Sequence, residues 1–248
     1  MSADAETLAY WLIKEVNRAV RDHGMIREGD RVAVGVSGGK DGLSLLRLLD
    51  LRRRSAPESY DLAAIHVPCD ARGAETPPHE PLLRRLSEWG YERDVPAPAI
   101  PIGEPLPLGC ARCAHIRRHT LFLAAERLGC DVVALGHHAD DVAETVLTNL
   151  LFHGRVEGMA PARDYFGGRM RIIRPLVYIA EKEIASFARA SGFPPPPPVC
   201  PSGEESLRAF ARRILRETPP RRRDMIRANL LRVGLGAARE ESASGELL

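Results

Sequence analysis

The sequence predicts an α/β fold built on a doubly wound parallel sheet, followed by a small helical C-terminal region, on three observations. The run from Arg31 to Leu49 passes from a β-branched strand pattern at Val32, Val34 and Val36, through Ser37-Gly38-Gly39-Lys40-Asp41-Gly42, into a helical pattern at Leu43, Leu46 and Leu49. Further apolar strand patterns and amphipathic helix patterns then alternate along the chain, which calls for parallel strands with helical crossovers. The unusual loops fall at the carboxyl ends of these strands, where open α/β sheets take their ligands.

In chain order, residues 4 to 22 form an amphipathic helix (Leu8, Leu12, Val16, Val20) that Gly24 ends. After the central strand, loop and helix come a strand over Leu62–Val67 and a helix over Leu82–Trp89 closed by Gly90. A weaker strand over Tyr91–Val95 precedes a Pro-rich connector from Pro96 to Pro107 that excludes regular helix. The pattern continues with a helix from the Cys110-x-x-Cys113 loop through Leu128, a strand over Val132–Gly136 and a helix from Asp140 to Phe152. Phe166-Gly167-Gly168-Arg169 reads as a hairpin turn into a strand over Met170–Ile173, with a helix over Ala180–Ser191 beyond it. Pro194 to Pro198 is a stiff extended spacer. These boundaries give an N-terminal helix (1–24), a nucleotide domain (25–193), a C-terminal helical region with two helices (194–235) and a disordered tail (236–248).

At 248 residues the chain holds a full α/β core, and 44% hydrophobic with 27% charged residues speaks against disorder or membrane insertion. A net charge of +2 does not by itself announce a nucleic-acid partner, but 32 arginines against three lysines is lopsided, and arginine suits bidentate phosphate contact. The N-terminus carries early acidic residues and no apolar h-region, so a cytoplasmic location is expected. Five cysteines, an odd number, argue against a disulfide framework and toward metal or redox use of a subset.

Three constellations carry chemistry. In the loop Ser37, Gly38, Gly39, Lys40, Asp41 and Gly42, paired glycines let backbone N–H groups and a helix N-terminus face an anion while Lys40 adds positive charge. The spacing is neither G-x-x-x-x-G-K-[ST] nor G-x-G-x-x-G. In Gly136-His137-His138-Ala139-Asp140-Asp141, two adjacent carboxylates at a helix start are hard oxygen ligands for magnesium or simple helix caps; beside a phosphate loop they imply Mg-ATP. Cys110 and Cys113, joined from far down the chain by Cys200, fit a [4Fe-4S] cluster with one open iron, a zinc site completed by His115, or plain thiols. Cys69 and Cys130 read as buried small hydrophobes. Nine arginines lie between Arg208 and Arg232, and Arg208, Arg212, Arg213, Arg216, Arg221, Arg222 and Arg223 are the candidates for RNA phosphates, against a solvated helix face as the competing account.

The central loop resembles the SGGKDS pyrophosphate loop of the N-type ATP pyrophosphatases (PP-loop, adenine nucleotide alpha hydrolase-like fold). With Cys110-x-x-Cys113, Arg117-Arg118, the GHHADDVAET segment, Arg174-Pro175-Leu176 and Cys200 in that order, residues 25 to 235 resemble the tRNA 2-thiocytidine synthetase family. The resemblance implies an enzyme that thiolates a tRNA base. The base oxygen would attack the α phosphate of ATP, pyrophosphate would leave, and sulfide carried on the open iron would displace AMP. It implies ATP, Mg2+ and a [4Fe-4S] cluster as cofactors, with Cys110, Cys113 and Cys200 as cluster ligands. Lys40, Asp41, Asp140, Asp141 and Arg117 would be catalytic, and His66, Gly136 and His137 would join the loop around the nucleotide. As partners it implies tRNA and a sulfur donor, either sulfide or a persulfide-carrying cysteine desulfurase; a homodimer and the absence of a membrane partner are further expectations. A small-molecule or other RNA acceptor, or a non-catalytic metal-dependent RNA-binding module, are the alternatives. The family's loop ends in serine where this chain has Gly42, which removes a hydrogen bond to phosphate worth about 1.5–3 kcal/mol. The paired zinc-ribbon cysteines of the related 2-thiouridine branch are missing, which favours the 2-thiocytidine branch.

Overall fold

A computed structural model describes residues 2–198 and 207–244. Among them six strands form one sheet: β1 (Arg31–Gly35), β2 (Asp61–Ile65), β3 (Glu92–Asp94), β4 (Val132–Ala134), β5 (Ala162–Tyr165) and β6 (Met170–Ile173), in the order β3-β2-β1-β4-β6-β5. Every neighbouring pair is parallel except β5 with β6, which the Phe166–Arg169 turn joins as an antiparallel hairpin. The winding reverses between β1 and β4, so the crevice over their carboxyl ends is the topological switch point of the sheet.

The described helices are α1 (Ala3–Asp22), α2 (Lys40–Arg52), α3 (Glu80–Glu88), α4 (Cys110–Arg127), α5 (Ala139–His153), α6 (Glu181–Ala190), α7 (Leu207–Glu217) and α8 (Pro220–Ser244). The alternation within β1 decides which helices cover which face. Val32 and Val34 join the larger core with residues of α1, α2, α3, α5 and α6, while Ala33 faces the other way with Ala63 and Val133 beneath Leu121, Ala124 and Ala125 of α4. The small residues on that second face let α4 lie close to the sheet. No described helix is long and apolar enough to cross a membrane.

Two differences from the sequence expectation are local. The antiparallel strand β5 forms where the sequence carries no strand pattern, because its half-exposed Ala-Arg-Asp-Tyr stretch has no apolar alternation. The last helix, α8, continues to Ser244 where a disordered tail from residue 236 is expected. The alanines, arginine and glutamates of that stretch are good helix formers. This helix crosses α5 closely: a Cβ on Gly234 would stand 2.6 Å from Val146 Cγ2, so glycine is required at the crossing.

Candidate active site

The phosphate loop leaves β1 at the switch point and turns at Gly38, whose φ of +89° suits glycine. Gly39 then begins α2 as an N-cap with no side chain to bond its first amides, so those donors remain for an anion. The segment after β4 abuts this loop. A Cβ on Gly136 would lie 2.8 Å from the Asp41 carbonyl carbon, and one on Gly42 would lie 2.9 Å from the Gly35 oxygen. Glycine in place of the family serine at position 42 therefore goes with a tight approach of α2 to β1 in this chain.

Above these turns lies a cavity of about 1240 Å³ lined by Ser37, Asp41 and Gly42 of the loop, by Gly136, His137 and Asp141 after β4, and by Arg117 and Arg118 of α4. Arg208, Arg212, Arg213 and Arg216 of α7 close the remaining side. The cavity thus combines an uncapped helix start, the Asp41 and Asp141 carboxylates with Glu217 on the α7 side, and a ring of guanidinium groups, an arrangement suited to a polyphosphate with a divalent cation.

The two neighbouring carboxylates part company. Residues i and i+1 on a helix do not share a face, and here Asp141 lines the large cavity while Asp140 lines a separate, smaller cleft beside α6 and α8. Asp140 accepts the Glu181 N–H at 2.7 Å and pairs with Arg227 at 3.4 Å. Asp141 accepts the His138 N–H at 2.9 Å as half of a capping box that starts α5. The carboxylate that meets Asp141 across the cavity is Asp41, with buried His138 between them, its Nε2 3.3 Å from Asp141 and 3.8 Å from Asp41.

Lys40 is held by Asp41 at 3.1 Å and Glu181 at 3.0 Å. Burial pulls its ammonium down, but the two carboxylates outweigh that and leave its pKa raised, so the charge is fixed beside the loop. His66 is buried with both ring nitrogens engaged: Nδ1 meets the Val36 carbonyl at 2.9 Å, and Nε2 accepts the His79 N–H at 3.2 Å. It therefore ties the loop after β2 to the loop after β1 and has no nitrogen left for a nucleotide. That corrects the expectation of a direct cofactor contact. The nearer side chain is His79, whose Nδ1 is buried without a hydrogen-bond partner, 2.5 Å from where a Gly38 Cβ would stand.

The Arg174 of the Arg-Pro-Leu stretch donates through Nε to His137 Nδ1 at 3.3 Å, so His137 carries its own proton on Nε2. Burial, together with the neighbouring Arg174, Arg208, His138 and Arg118, pulls the His137 imidazole down to about 3. A neutral imidazole in the fold and an ordinary one in the unfolded chain, near 6.5, means that the unfolded state alone takes up the proton between these values. Stability from this residue is therefore complete above about pH 6.5 and lost as pH falls toward 3, by about 1.4 kcal/mol per unit. Urea denaturation at pH 7.5 and pH 5 should show this slope, and His137→Gln should flatten it; an unchanged slope in the variant would remove His137 as its source.

The seven candidate RNA arginines are divided by the fold. Arg212 pairs with Glu144 at 2.8 Å, Arg208 bonds both Glu144 and Asp141, and Arg223 donates to the carbonyls of Arg216 and Thr218 at the end of α7. These three make contacts within the molecule. Arg213 and Arg216 reach the cavity rim, and Arg221 and Arg222 are exposed. The polarity pattern of α7 could not distinguish them, because the partner Glu144 is buried on another helix.

Cys110 and Cys113 occupy the first turn of α4, again behind a glycine N-cap with no side-chain bond. Cys113 is buried in a small apolar cluster, while the next residue along the helix, Ala114, lines the cavity. Cys200 lies outside the described residues. Cys69 sits with Leu108, Cys113 and Ile116 in a small apolar cluster, its Sγ 3.9 Å from that of Cys113. Burial, with Cys113 adding to it, pushes the Cys69 thiol up to about 12. Cys130 is buried beneath α4, as expected of a small hydrophobe. Glu181 and His79 carry no motif of their own, and only their position beside the loop shows their part, whereas His138 and Glu144 lie within the GHHADDVAET segment.

A parallel sheet reversing between β1 and β4, with this loop at the reversal, defines a PP-loop nucleotide-binding protein. The PP-loop domain family matches residues 10–194. A tRNA-cytidine(32) 2-sulfurtransferase of Geobacter metallireducens is 38% identical over 224 residues, covering 86% of this chain and 86% of its own. Another, of Syntrophotalea carbinolica, is 41% identical over 198 residues, covering 78% of this chain and 75% of its own. Among solved structures, the U34-tRNA thiolase NcsA from Methanococcus maripaludis, with its [4Fe-4S] cluster, is similar at a TM-score of 0.67 and 26% identity, over 91% of this chain and 79% of that one. The chain belongs to the tRNA-cytidine(32) 2-sulfurtransferase family of PP-loop proteins.

Proposed function

We propose that this chain is an ATP-dependent tRNA thiolase that replaces the C2 oxygen of an anticodon-loop cytidine, at position 32 as in its relatives, with sulfur. The observation that carries the reading is that one cavity joins the phosphate loop, the Asp41 and Asp141 carboxylates and Arg117 and Arg118 of α4, the helix whose first turn holds Cys110 and Cys113. Ser37, the α2 amides and Lys40 bind the phosphates and neutralise charge that develops as the base C2 oxygen attacks the α phosphorus and pyrophosphate leaves. Asp41 and Asp141 would hold the magnesium, and Cys110, Cys113 and Cys200 the [4Fe-4S] cluster. When bound, the metal ion polarises the phosphates, and the cluster supplies the sulfur that displaces AMP from C2. His137 directs its Nε2 proton into the cavity as a neutral donor, and Arg117 and Arg118 present guanidinium groups on the facing wall. Arg213, Arg216, Arg221 and Arg222 would meet tRNA phosphates, and the unpaired loop lets the target base be turned out at low cost. The sulfur donor would be sulfide or a persulfide-carrying desulfurase, with a homodimer as the assembled form and the cytoplasm as the location.

The test is nucleoside mass spectrometry of tRNA incubated anaerobically with the reconstituted protein, Mg-ATP and sulfide, beside a control without ATP. 2-Thiocytidine is expected only with ATP; AMP formation with no thionucleoside would transfer the chemistry to another acceptor. In the same assay Lys40→Ala should lose ATP cleavage by about 100-fold or more while the broad visible absorbance of the cluster persists. Loss of both together would make Lys40 a structural residue.

A further inference from the structure

Cys69 stands on the loop after β2 and Cys113 on the first turn of α4, 44 positions apart in sequence, yet their sulfurs are 3.9 Å apart and both side chains are buried. Cys113 Sγ also lies 3.6 Å from the Cys69 carbonyl oxygen, which holds the two segments in register. The Leu108 N–H donates to the Ala71 carbonyl at 2.9 Å and closes the same pocket from the connector side. Leu108 and Ile116 complete an apolar wall around the sulfurs. Among the described residues no group of three or more His, Cys, Asp or Glu is arranged to hold a metal ion. Two sulfurs in van der Waals contact inside an apolar pocket have another use, since thiols this close are candidates for a disulfide.

We propose that Cys69 and Cys113 form a peroxide-responsive dithiol, in which oxidation of Cys113 is captured by Cys69 as a reversible disulfide whenever Cys113 carries no metal. The oxidant is a hydroperoxide, small enough to reach a sulfur only 7% exposed. The Cys113 sulfur attacks the peroxide oxygen, becoming a sulfenic acid with release of one water from hydrogen peroxide. The Cys69 sulfur then attacks Cys113, the S–O bond breaks, the S–S bond forms and a second water leaves. In sum two thiols and one peroxide give one disulfide and two waters. A sulfenic acid without such a neighbour proceeds to sulfinic and sulfonic acids that thiol reductants do not reverse. The disulfide, in contrast, returns Cys113 to a thiol on reduction. Cys69 would thereby preserve the sulfur that the proposed cluster needs, and this benefit rests on the reading of Cys113 as a cluster ligand.

The experiment uses the full chain, freed of metal and reduced, then exposed to hydrogen peroxide, alkylated and mapped by peptide mass spectrometry. A Cys69–Cys113 linked peptide is expected as the main product. A Cys110–Cys113 or Cys113–Cys200 link, or Cys69 still open to alkylation, would overturn the proposal. In parallel, Cys69→Ser should accumulate sulfinic and sulfonic Cys113 under the same treatment. After reduction and reconstitution with iron and sulfide it should regain roughly five-fold less cluster absorbance than the parent, each normalised to its own unoxidised sample. Equal recovery would overturn the proposal as well. Cys113→Ala without peroxide separates the two readings: retention of the cluster there would refute the metal assignment, while the linked peptide of the parent would still establish the dithiol.

Discussion

Asp141→Asn should lower pyrophosphate release and thiolation by about 10²–10³-fold, the scale for removing one group aimed at developing charge, whereas Asp140→Asn should cost less than about ten-fold. The contrast follows from geometry. Asp141 faces the cavity opposite Asp41, but Asp140 caps the start of α6 and pairs with Arg227 in another cleft. Asparagine keeps the shape and one acceptor oxygen at either site, so both variants should fold. Asp140→Asn should appear chiefly in thermal stability, at about 1 kcal/mol for a hydrogen bond and a partly exposed ion pair. The comparison is made by single-turnover kinetics at saturating Mg-ATP with melting curves alongside. Equal kinetic damage from the two substitutions in folded protein would return both carboxylates to the metal.

Glu144→Ala should be the most destabilising of the single charge removals. Glu144 is 4% exposed and is met by both Arg208 and Arg212, so its loss leaves Arg212 without its carboxylate and Arg208 with Asp141 alone. Breaking a fully buried pair costs 3–5 kcal/mol, but these arginines are 35% and 42% exposed and water screens them, which brings the expectation to about 2 kcal/mol. For a chain of this size that lowers Tm by about 4–8 °C. Hydrogen exchange should accelerate in α7 first, because α7 is held to α5 through this carboxylate. As a control, Glu157→Ala removes a surface pair with Arg155 and should leave Tm within about 1 °C. A melting temperature for Glu144→Ala equal to the control would mean that apolar packing, not charge, seats α7.

Where side chains alternate or repeat strongly, the sequence was a sufficient guide: β1, the phosphate loop, α2, α4 and α5 are local patterns whose partner is the sheet itself. The cavity's position was legible for the same reason, since a loop at a strand end in an alternating pattern has one place to be. What escaped were contacts made across space. Asp140 and Asp141 look alike on paper, and only the turn of α5 sends them to different clefts. Arg208 and Arg212 look like the other arginines of their region until Glu144 is found opposite. Cys69 has no motif, and its nearness to Cys113 depends on how the connector before α4 folds back. His66 follows the end of β2, but its neighbours are carbonyl and amide groups of the backbone.

The two borders of the sheet bear on how copies of the chain can meet. One border is β3, whose whole length is Glu92-Arg93-Asp94, and Glu92 is gripped by Arg31 of β1 at 2.6 Å. The other is β5, which presents Arg163 and Asp164. Charges of both signs on short border strands make it costly for another strand to dock in continuation of the ladder. Self-association by sheet extension, and the open-ended fibres it would seed, is thereby disfavoured at either end. A pair of these molecules would have to join through helical surface, leaving the carboxyl-end crevice and its nucleotide entrance unobstructed by any shared sheet.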